Sequence, residues 1–420
     1  MSTTIKRKLY NSLRKHLKEK EISLIIGPRQ AGKTTLMKNL KDELDKKGEK
    51  TLFLNMDIAE DRTFFATQQS LIEKISLSIG KDRGFVFLDE IQRKEDAGLF
   101  LKGIYDMNLP YKFIISGSGS VELKEKIHES LAGRKRIFEL FTISFEEFVD
   151  FKTNYSYSEK LENFFSVEKS LSDRLLKEYL NFGGYPQVVI KDTLEEKIFS
   201  IREILSSYLE KDINSLLHIE KLETFNLLIK ILSNQTGKIL NYTELSNSLA
   251  IQIPTLKKYI WYIEKTFVAT RISPFFRNTR KEIKKSPMIY FYDIGLHNYA
   301  LNTFGNLERA ADIGFVFQNL IFLLLREKLL LKNAGLNFWR TKDKNEVDFV
   351  IDFTRDVIPI EAKYSDLREP IIPRPLRNFI KKYNPSKAFV INKSLDSKIN
   401  FLNTEILIIP YWKLITEEFF

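Results

Sequence analysis

The chain has 420 residues and a formal net charge of +11, from 66 Lys and Arg against 55 Asp and Glu, and 43% of it is hydrophobic. At roughly 150 residues per domain this length implies several domains, and the apolar fraction excludes a mostly disordered chain. The absence of cysteine excludes disulfides and thiolate zinc sites and suits a reducing, cytoplasmic setting. The basic excess fits a nucleic-acid partner or simply a soluble surface. Met1 to Lys20 lacks the apolar core of a signal peptide. The longest apolar stretch, around Phe315 to Leu325, is short of the ~20 residues of a membrane span, so no membrane is expected.

Ile5 to Lys20 reads as a basic amphipathic helix leading into an apolar strand, Ile22 to Ile26. Then comes Gly27-Pro28-Arg29-Gln30-Ala31-Gly32-Lys33-Thr34-Thr35, followed by a helical run from Leu36 to Leu44. Strand, glycine-framed loop and helix are the setting of the P-loop pattern G-x-x-x-x-G-K-[ST]. Gly27 and Gly32 allow a tight turn and close approach to phosphate. The loop N–H groups and the helix N-terminus together make an anion nest. Lys33 is placed to reach the β- and γ-phosphates of ATP, and Thr34 to offer its hydroxyl to Mg²⁺.

Thr51 to Asp57 reads as a second strand and Phe64 to Ile79 as a helix ended by Gly80. Gly84-Phe85-Val86-Phe87-Leu88-Asp89-Glu90 is an apolar strand ending in two acids, the Walker B pattern. A fully apolar strand fits a parallel sheet covered on both faces, with Asp89 at the C-terminal end where such sheets bind ligands. Asp89 is the expected second Mg²⁺ residue and Glu90 the base that orients and deprotonates water. Tyr111 to Ile115 is the next strand. It runs into Ser116-Gly117-Ser118-Gly119-Ser120, where Ser116 and Ser118 are candidates to sense the γ-phosphate. Arg134 precedes a fifth strand, Arg136 to Leu140. It reads either as an arginine finger, in cis or from a neighbouring copy of the chain in a homo-oligomer, or as a surface residue.

The segments Gly27–Thr35, Phe85–Glu90, Ile115–Ser118 and Leu131–Arg134, followed by Ile143-Ser144-Phe145-Glu146-Glu147-Phe148, resemble a set of archaeal and bacterial AAA-type ATPases. In that set a C-terminal domain of unknown function, number 4143, follows the ATPase. Asn181-Phe182-Gly183-Gly184-Tyr185-Pro186 matches a further signature of the set. The resemblance implies a RecA-like, AAA-type P-loop core over 1–150 and a helical lid over 151–220.

Ser200 to Ser215 reads as a helix. From Phe225 the pattern becomes three short helices and a hairpin. Phe225 to Leu232 is the first helix. The second opens at Asn241 with Thr243 as N-cap, and the third opens at Ile253 with Pro254 in its first turn. Val268 to Ile272 and Ile289 to Tyr292 are the two strands. This is a winged helix-turn-helix over 221–300, with Lys257 and Lys258 on the third helix and Arg277, Arg280, Lys281, Lys284 and Lys285 on the wing. A basic helix and wing suit phosphate contacts along DNA.

The last unit, 301–420, has a buried helix from Phe315 to Leu329. Strands follow at Leu336–Arg340, Asn345–Ile351 and Val357–Lys363, then a helix at Arg374–Tyr383 and a strand at Ala388–Ile391. Asp348 with Glu361-x-Lys363 resembles the PD-(D/E)xK core of restriction-endonuclease-like folds. Two carboxylates at adjacent strand ends suit Mg²⁺, and Lys363 suits activation of water. Gln318 stands where that resemblance implies a helix glutamate, and so argues against efficient cleavage. The expected function is Mg²⁺-dependent ATP hydrolysis coupled to nucleic-acid binding, in a multidomain α/β protein. The alternatives are a metal-dependent nuclease with regulatory ATP and a nucleotide-dependent protein-binding switch.

Overall fold

In the computed structural model, which describes residues 4–118, 130–214, 222–276, 286–307, 313–343, 345–353 and 356–420, the first apolar segments assemble into one parallel sheet. Its strands are β1 (Ile22–Gly27), β2 (Thr51–Asn55), β3 (Gly84–Asp89), β4 (Tyr111–Ser118) and β5 (Lys135–Glu139), in the order β2-β3-β4-β1-β5. Residues alternate between two cores, as the pleat requires. Leu24, Ile26, Val86, Leu88 and Ile115 face one core, and Ile25, Phe85, Phe87 and Ile114 face the other. Burial on both faces is why β1 and β3 are apolar throughout, and all six residues of each are buried.

Helices flank the sheet with some departures from the expected bounds. The first covers only Leu9–His16, because Arg7 is drawn off to bond Ala31 and Glu147. The expected helix over 64–79 begins only at Gln68 and runs to Ile79, and a separate short helix, Ala59–Thr63, precedes it. Thr67 starts the longer one by accepting from Ser70 N, and Gly80 ends it at φ 82°. A helix at Ala97–Asp106 was not anticipated.

The 151–220 stretch divides between two cores rather than forming one lid. The helices Phe145–Lys152, Leu161–Val167 and Lys169–Phe182 share a core with the C-terminal sheet through Phe148, Phe164, Phe165 and Leu176. The helices Pro186–Val189 and Leu194–Ser207 pack instead with residues 222–300 through Val188, Ile201 and Ile204. The second of these starts earlier than expected, capped by Thr193, and passes into π geometry over Tyr208–Asn214.

The next unit has the helices Leu222–Asn234, Tyr242–Leu249 and Ile253–Lys265, then β6 (Ala269–Ile272) paired antiparallel with β7 (Met288–Phe291). Asn241, not Thr243, caps the second helix, accepting from Thr243 N and Glu244 N. An asparagine with extended backbone satisfies two orphan donors that a threonine inside the first turn cannot. Pro254 sits in the first turn of the third helix.

The C-terminal unit is a six-stranded mixed sheet. Its strands are β8 (Gly335–Arg340), β9 (Glu346–Asp352), β10 (Val357–Ala362), β11 (Lys387–Asn392), β12 (Ser397–Phe401) and β13 (Thr404–Pro410), in the order β12-β13-β11-β10-β9-β8. The last two strands were not foreseen. The helix Ile313–Leu329 covers one face and Arg374–Tyr383 the other. No described helix is long and apolar enough to cross a membrane.

Candidate functional site

β1 ends at Gly27 because nothing else fits. A Cβ there would lie 1.9 Å from the Leu140 carbonyl oxygen, and Leu140 N donates to Ile26 O at 2.8 Å. The loop turns through left-handed Gln30 (φ 58°) and Gly32 (φ 96°) into the helix Lys33–Lys46, whose N-cap offers no side-chain acceptor. No side chain caps its first turn, the arrangement in which a helix N-terminus receives an anion. Lys33 is 5% exposed and arches back over the loop, donating to Gly27 O at 3.0 Å and Pro28 O at 2.8 Å.

Asp89 ends β3 fully buried. Thr34 Oγ1 donates to its Oδ2 at 2.7 Å, and Ser116 Oγ donates to its Oδ1. The parallel register, Leu88 against Ile115, brings Ser116 beside it. Glu90 follows in a left-handed conformation, φ 57° and ψ 42°. That conformation is uncommon away from glycine and is often held at sites of function. Its carboxylate accepts from Gln92 Nε2. Gly27 to Thr35, Asp89 and Glu90 thus converge at one end of the sheet. Ser118 stands opposite Gly27 in the β1–β4 register, and its side chain lies outside the described residues.

Arg134 does not join them. Its carbonyl accepts from Ile22 N at 2.9 Å, so it lies at the far end of β1, about 17 Å from the loop at ~3.3 Å per residue. Its side chain pairs with Asp106 at 2.8 Å. A role on its own chain's nucleotide is out of reach.

Arg7 is the residue that sequence reasoning missed. Its guanidinium donates to Ala31 O in the loop at 2.8 Å, to Phe141 O at 2.7 Å, to Thr142 O at 3.2 Å and to Glu147 Oε2 at 3.0 Å. Glu147 also closes a capping box with Ser144, a spacing legible in the sequence. Pro186 comes within 3.9 Å of where a Gly32 Cβ would be. The Gly183-Gly184 pair forms a backbone junction behind the loop: Ile143 N donates to Gly184 O at 2.7 Å, and Gly184 N to Asp293 Oδ2 at 2.8 Å. Burial pushes the Asp293 carboxyl up to about 6 against the N–H groups that stabilise its charge.

A second cluster lies in the C-terminal sheet. Extending the β9–β10 register, Ile360 against Phe349, places Glu361 opposite Asp348. Asp348 accepts from Gln318 Nε2 at 2.9 Å and from Ala362 N at 2.8 Å. Glu361 is 2% exposed, pairs with Lys363 at 3.0 Å and keeps Oε1 buried without a partner. Burial first, then the Asp348 charge, raises the Glu361 carboxyl well above the usual range; burial likewise raises Asp348. Among the described residues no group of three or more His, Asp or Glu side chains is arranged to hold a metal ion. The pair itself, with an orphaned oxygen and an amide beside it, is a set of hard donors that fits one.

Of the expected nucleic-acid contacts, Lys257 and Lys258 are exposed on the helix Ile253–Lys265, near the rings of Tyr242 and Tyr262. Arg277, Arg280, Lys281, Lys284 and Lys285 lie outside the described residues.

The parallel sheet, the glycine-framed loop and the Thr34–Asp89–Ser116 network define a P-loop nucleotide-binding domain of the AAA type. Residues 19–149 match the family model of the AAA domain, 173–307 a domain of unknown function, DUF8612, and 313–414 another, DUF4143. The chain thus carries matches to an AAA domain and to a C-terminal DUF4143, in the order the sequence resemblance implies. An uncharacterized protein of Methanocaldococcus jannaschii is 27% identical over 94% of this chain and 88% of its own length. One of Mycobacterium tuberculosis is 27% identical over 87% and 75%. Among solved structures, the Aeropyrum pernix ORC1 protein in complex with DNA overlaps at TM-score 0.33 with 11% identity, over 73% of this chain and 95% of that one. AMPPCP-bound DnaA from Aquifex aeolicus overlaps at TM-score 0.27 with 14% identity, over 62% and 87%.

Proposed function

We propose that this protein is a Mg²⁺-dependent ATPase that couples hydrolysis to nucleic-acid binding. The observation that carries the reading is Asp89, buried between the hydroxyls of Thr34 and Ser116 with left-handed Glu90 next to it. Thr34 and Asp89 supply a hydroxyl and a carboxylate side by side, the donors a hard cation takes. A Mg²⁺ held by Thr34 and Asp89 would supply charge neutralisation to the phosphates. Lys33 exchanges its two carbonyl partners for phosphate oxygens. Glu90 orients the attacking water and takes its proton. Arg7 holds the loop through Ala31 and acts as a positioning residue. The helices of 222–265 with β6 and β7 fit a winged helix. The helix–three-strand–helix–strand order of 313–392 with Asp348, Glu361 and Lys363 fits a restriction-endonuclease-like unit.

The test is Glu90→Gln, which keeps size and removes the base. ATP affinity by calorimetry is expected to hold while phosphate release falls roughly 10²-fold or more. Loss of binding together with turnover would make Glu90 structural and sink this assignment.

A second reading, metal-dependent DNA cleavage in the C-terminal unit, is favoured by the orphaned Glu361 oxygen beside Asp348. Gln318 in place of a carboxylate weakens it. Plasmid nicking in Mg²⁺ is therefore expected to be slow or undetectable in wild type, and any that occurs should vanish in Asp348→Ala. Robust nicking that survives Asp348→Ala removes the pair from the chemistry.

A further inference from the structure

The helix Arg374–Tyr383 buries Leu376, Phe379 and Ile380 against the sheet and turns a basic face outward. Arg374, Arg377 and Lys381 are exposed and follow i, i+3, i+7 spacing, one stripe of a helix. None of the three side chains has an acidic partner among the described residues. Several other cations of this unit are neutralised: Lys328 pairs with Glu418, Lys393 with Asp366, Lys398 with Glu405 and Lys413 with Asp396. The stripe also opposes helix stability. Its members are like charges three and four residues apart, and two arginines sit near the positive end of the dipole with no acid in the first turn. Folding therefore does not account for them, and an external polyanion would.

The helix shares a core with Val357, which is in step with Glu361 on β10; Asp348 instead bonds Gln318 on the helix of the opposite face. The side chain of Asn378, next along the helix from Arg377, donates to Asn345 Oδ1 at 3.0 Å, three residues before Asp348.

We propose that Arg374, Arg377 and Lys381 form a second nucleic-acid contact surface that takes the phosphate backbone of a DNA duplex beside the Asp348–Glu361 pair. The stripe spans about 10 Å, the axial rise of roughly three nucleotides of one strand. It carries charge without base-reading geometry, so it positions duplex independently of sequence. This inference rests on the nucleic-acid coupling proposed above and is tested separately from it.

Binding of a fluorescein-labelled DNA duplex to the full chain is measured by anisotropy across a salt series. The arms are wild type, R374E/R377E/K381E and K257E/K258E. The stripe variant is expected to bind roughly tenfold or more weakly and to lose about 2 to 3 from the salt slope, at ~0.9 per phosphate contact. The buried face of the helix is untouched, and thermal melting checks the fold. R374Q/R377Q/K381Q carries the test if charge reversal disturbs it. Wild-type slope and affinity in the stripe variants, with weakening in K257E/K258E, overturn this surface and leave the coupling standing. No salt-dependent binding by wild type overturns both. Displacement of the duplex by poly-glutamate as readily as by unlabelled DNA assigns the surface to an acidic protein, and the proposal falls.

Discussion

Alanine at Gly184 is expected to cost about 3 kcal/mol or more of folding stability, at the upper end of what overpacking does. A Cβ there would stand 2.1 Å from the Ile143 carbonyl oxygen, a backbone atom with no freedom to swing aside. Ile143 N donates to Gly184 O, and Gly184 N to Asp293, so moving either strand of this junction breaks bonds on both sides. The junction joins the end of the P-loop sheet, the helix Lys169–Phe182 and the helix Ile294–Ala300. Damage should therefore reach nucleotide binding as well as stability. Gly133 is the internal control: its φ is +71°, yet nothing lies within 4 Å of its Cβ position. Its alanine variant should lose only about 1 kcal/mol from the left-handed backbone. Urea titration of both variants separates the two terms. A Gly184→Ala protein no weaker than Gly133→Ala would show that the junction yields, and would remove it as a fixed link between the units.

The parts of this molecule that could be read in advance are those whose chemistry fixes a local spacing. Gly27, Gly32, Lys33 and Thr34 lie within eight positions because one phosphate chain has to touch them all, and Asp89 ends an apolar strand because the sheet ends there. Arg7 could not be read this way. Its partners Phe141 and Glu147 lie well over a hundred residues away, and a basic residue in a basic stretch carries no local mark. Of the readings open for Arg134, one could have been set aside in advance. Arg134 directly precedes β5, and in a parallel sheet a residue before a strand falls at the end opposite the ligand-binding end. The sequence order alone excluded it from its own nucleotide site. The division of 151–220 between two cores was hidden because amphipathic helices show that they bury a face, not against what. The stripe on Arg374–Tyr383 was visible as basic residues, but only the fold shows that the three are exposed together along the face opposite Leu376, Phe379 and Ile380.

Glu361→Gln is expected to stabilise the protein at pH 8 and to leave it nearly unchanged near pH 5. Burial, and then the facing Asp348 charge, push the Glu361 carboxyl up from an ordinary value of 4.5 to about 8. In that window the folded chain holds a proton that the unfolded chain has released, so stability falls as pH rises through it. Glutamine removes the titration while keeping the shape, and an amide oxygen can stand where Oε1 already lacks a partner. The gap between variant and wild type should open between these two values and reach the order of a few kcal/mol above them. Lys363, paired at 3.0 Å and partly exposed, limits the gap and does not reverse it. A divalent cation at the pair would act in the same direction as the substitution. Mg²⁺ or Mn²⁺ should therefore raise the wild-type midpoint at pH 8, do little at pH 5, and do little at either pH in Glu361→Gln. Urea midpoints over this grid of pH, cation and variant decide the matter. Parallel pH profiles for the two proteins would mean that Glu361 is not strained by its neighbour. A cation effect that persists in Glu361→Gln would place the ion elsewhere, with Thr34 and Asp89 the first residues to substitute in search of it.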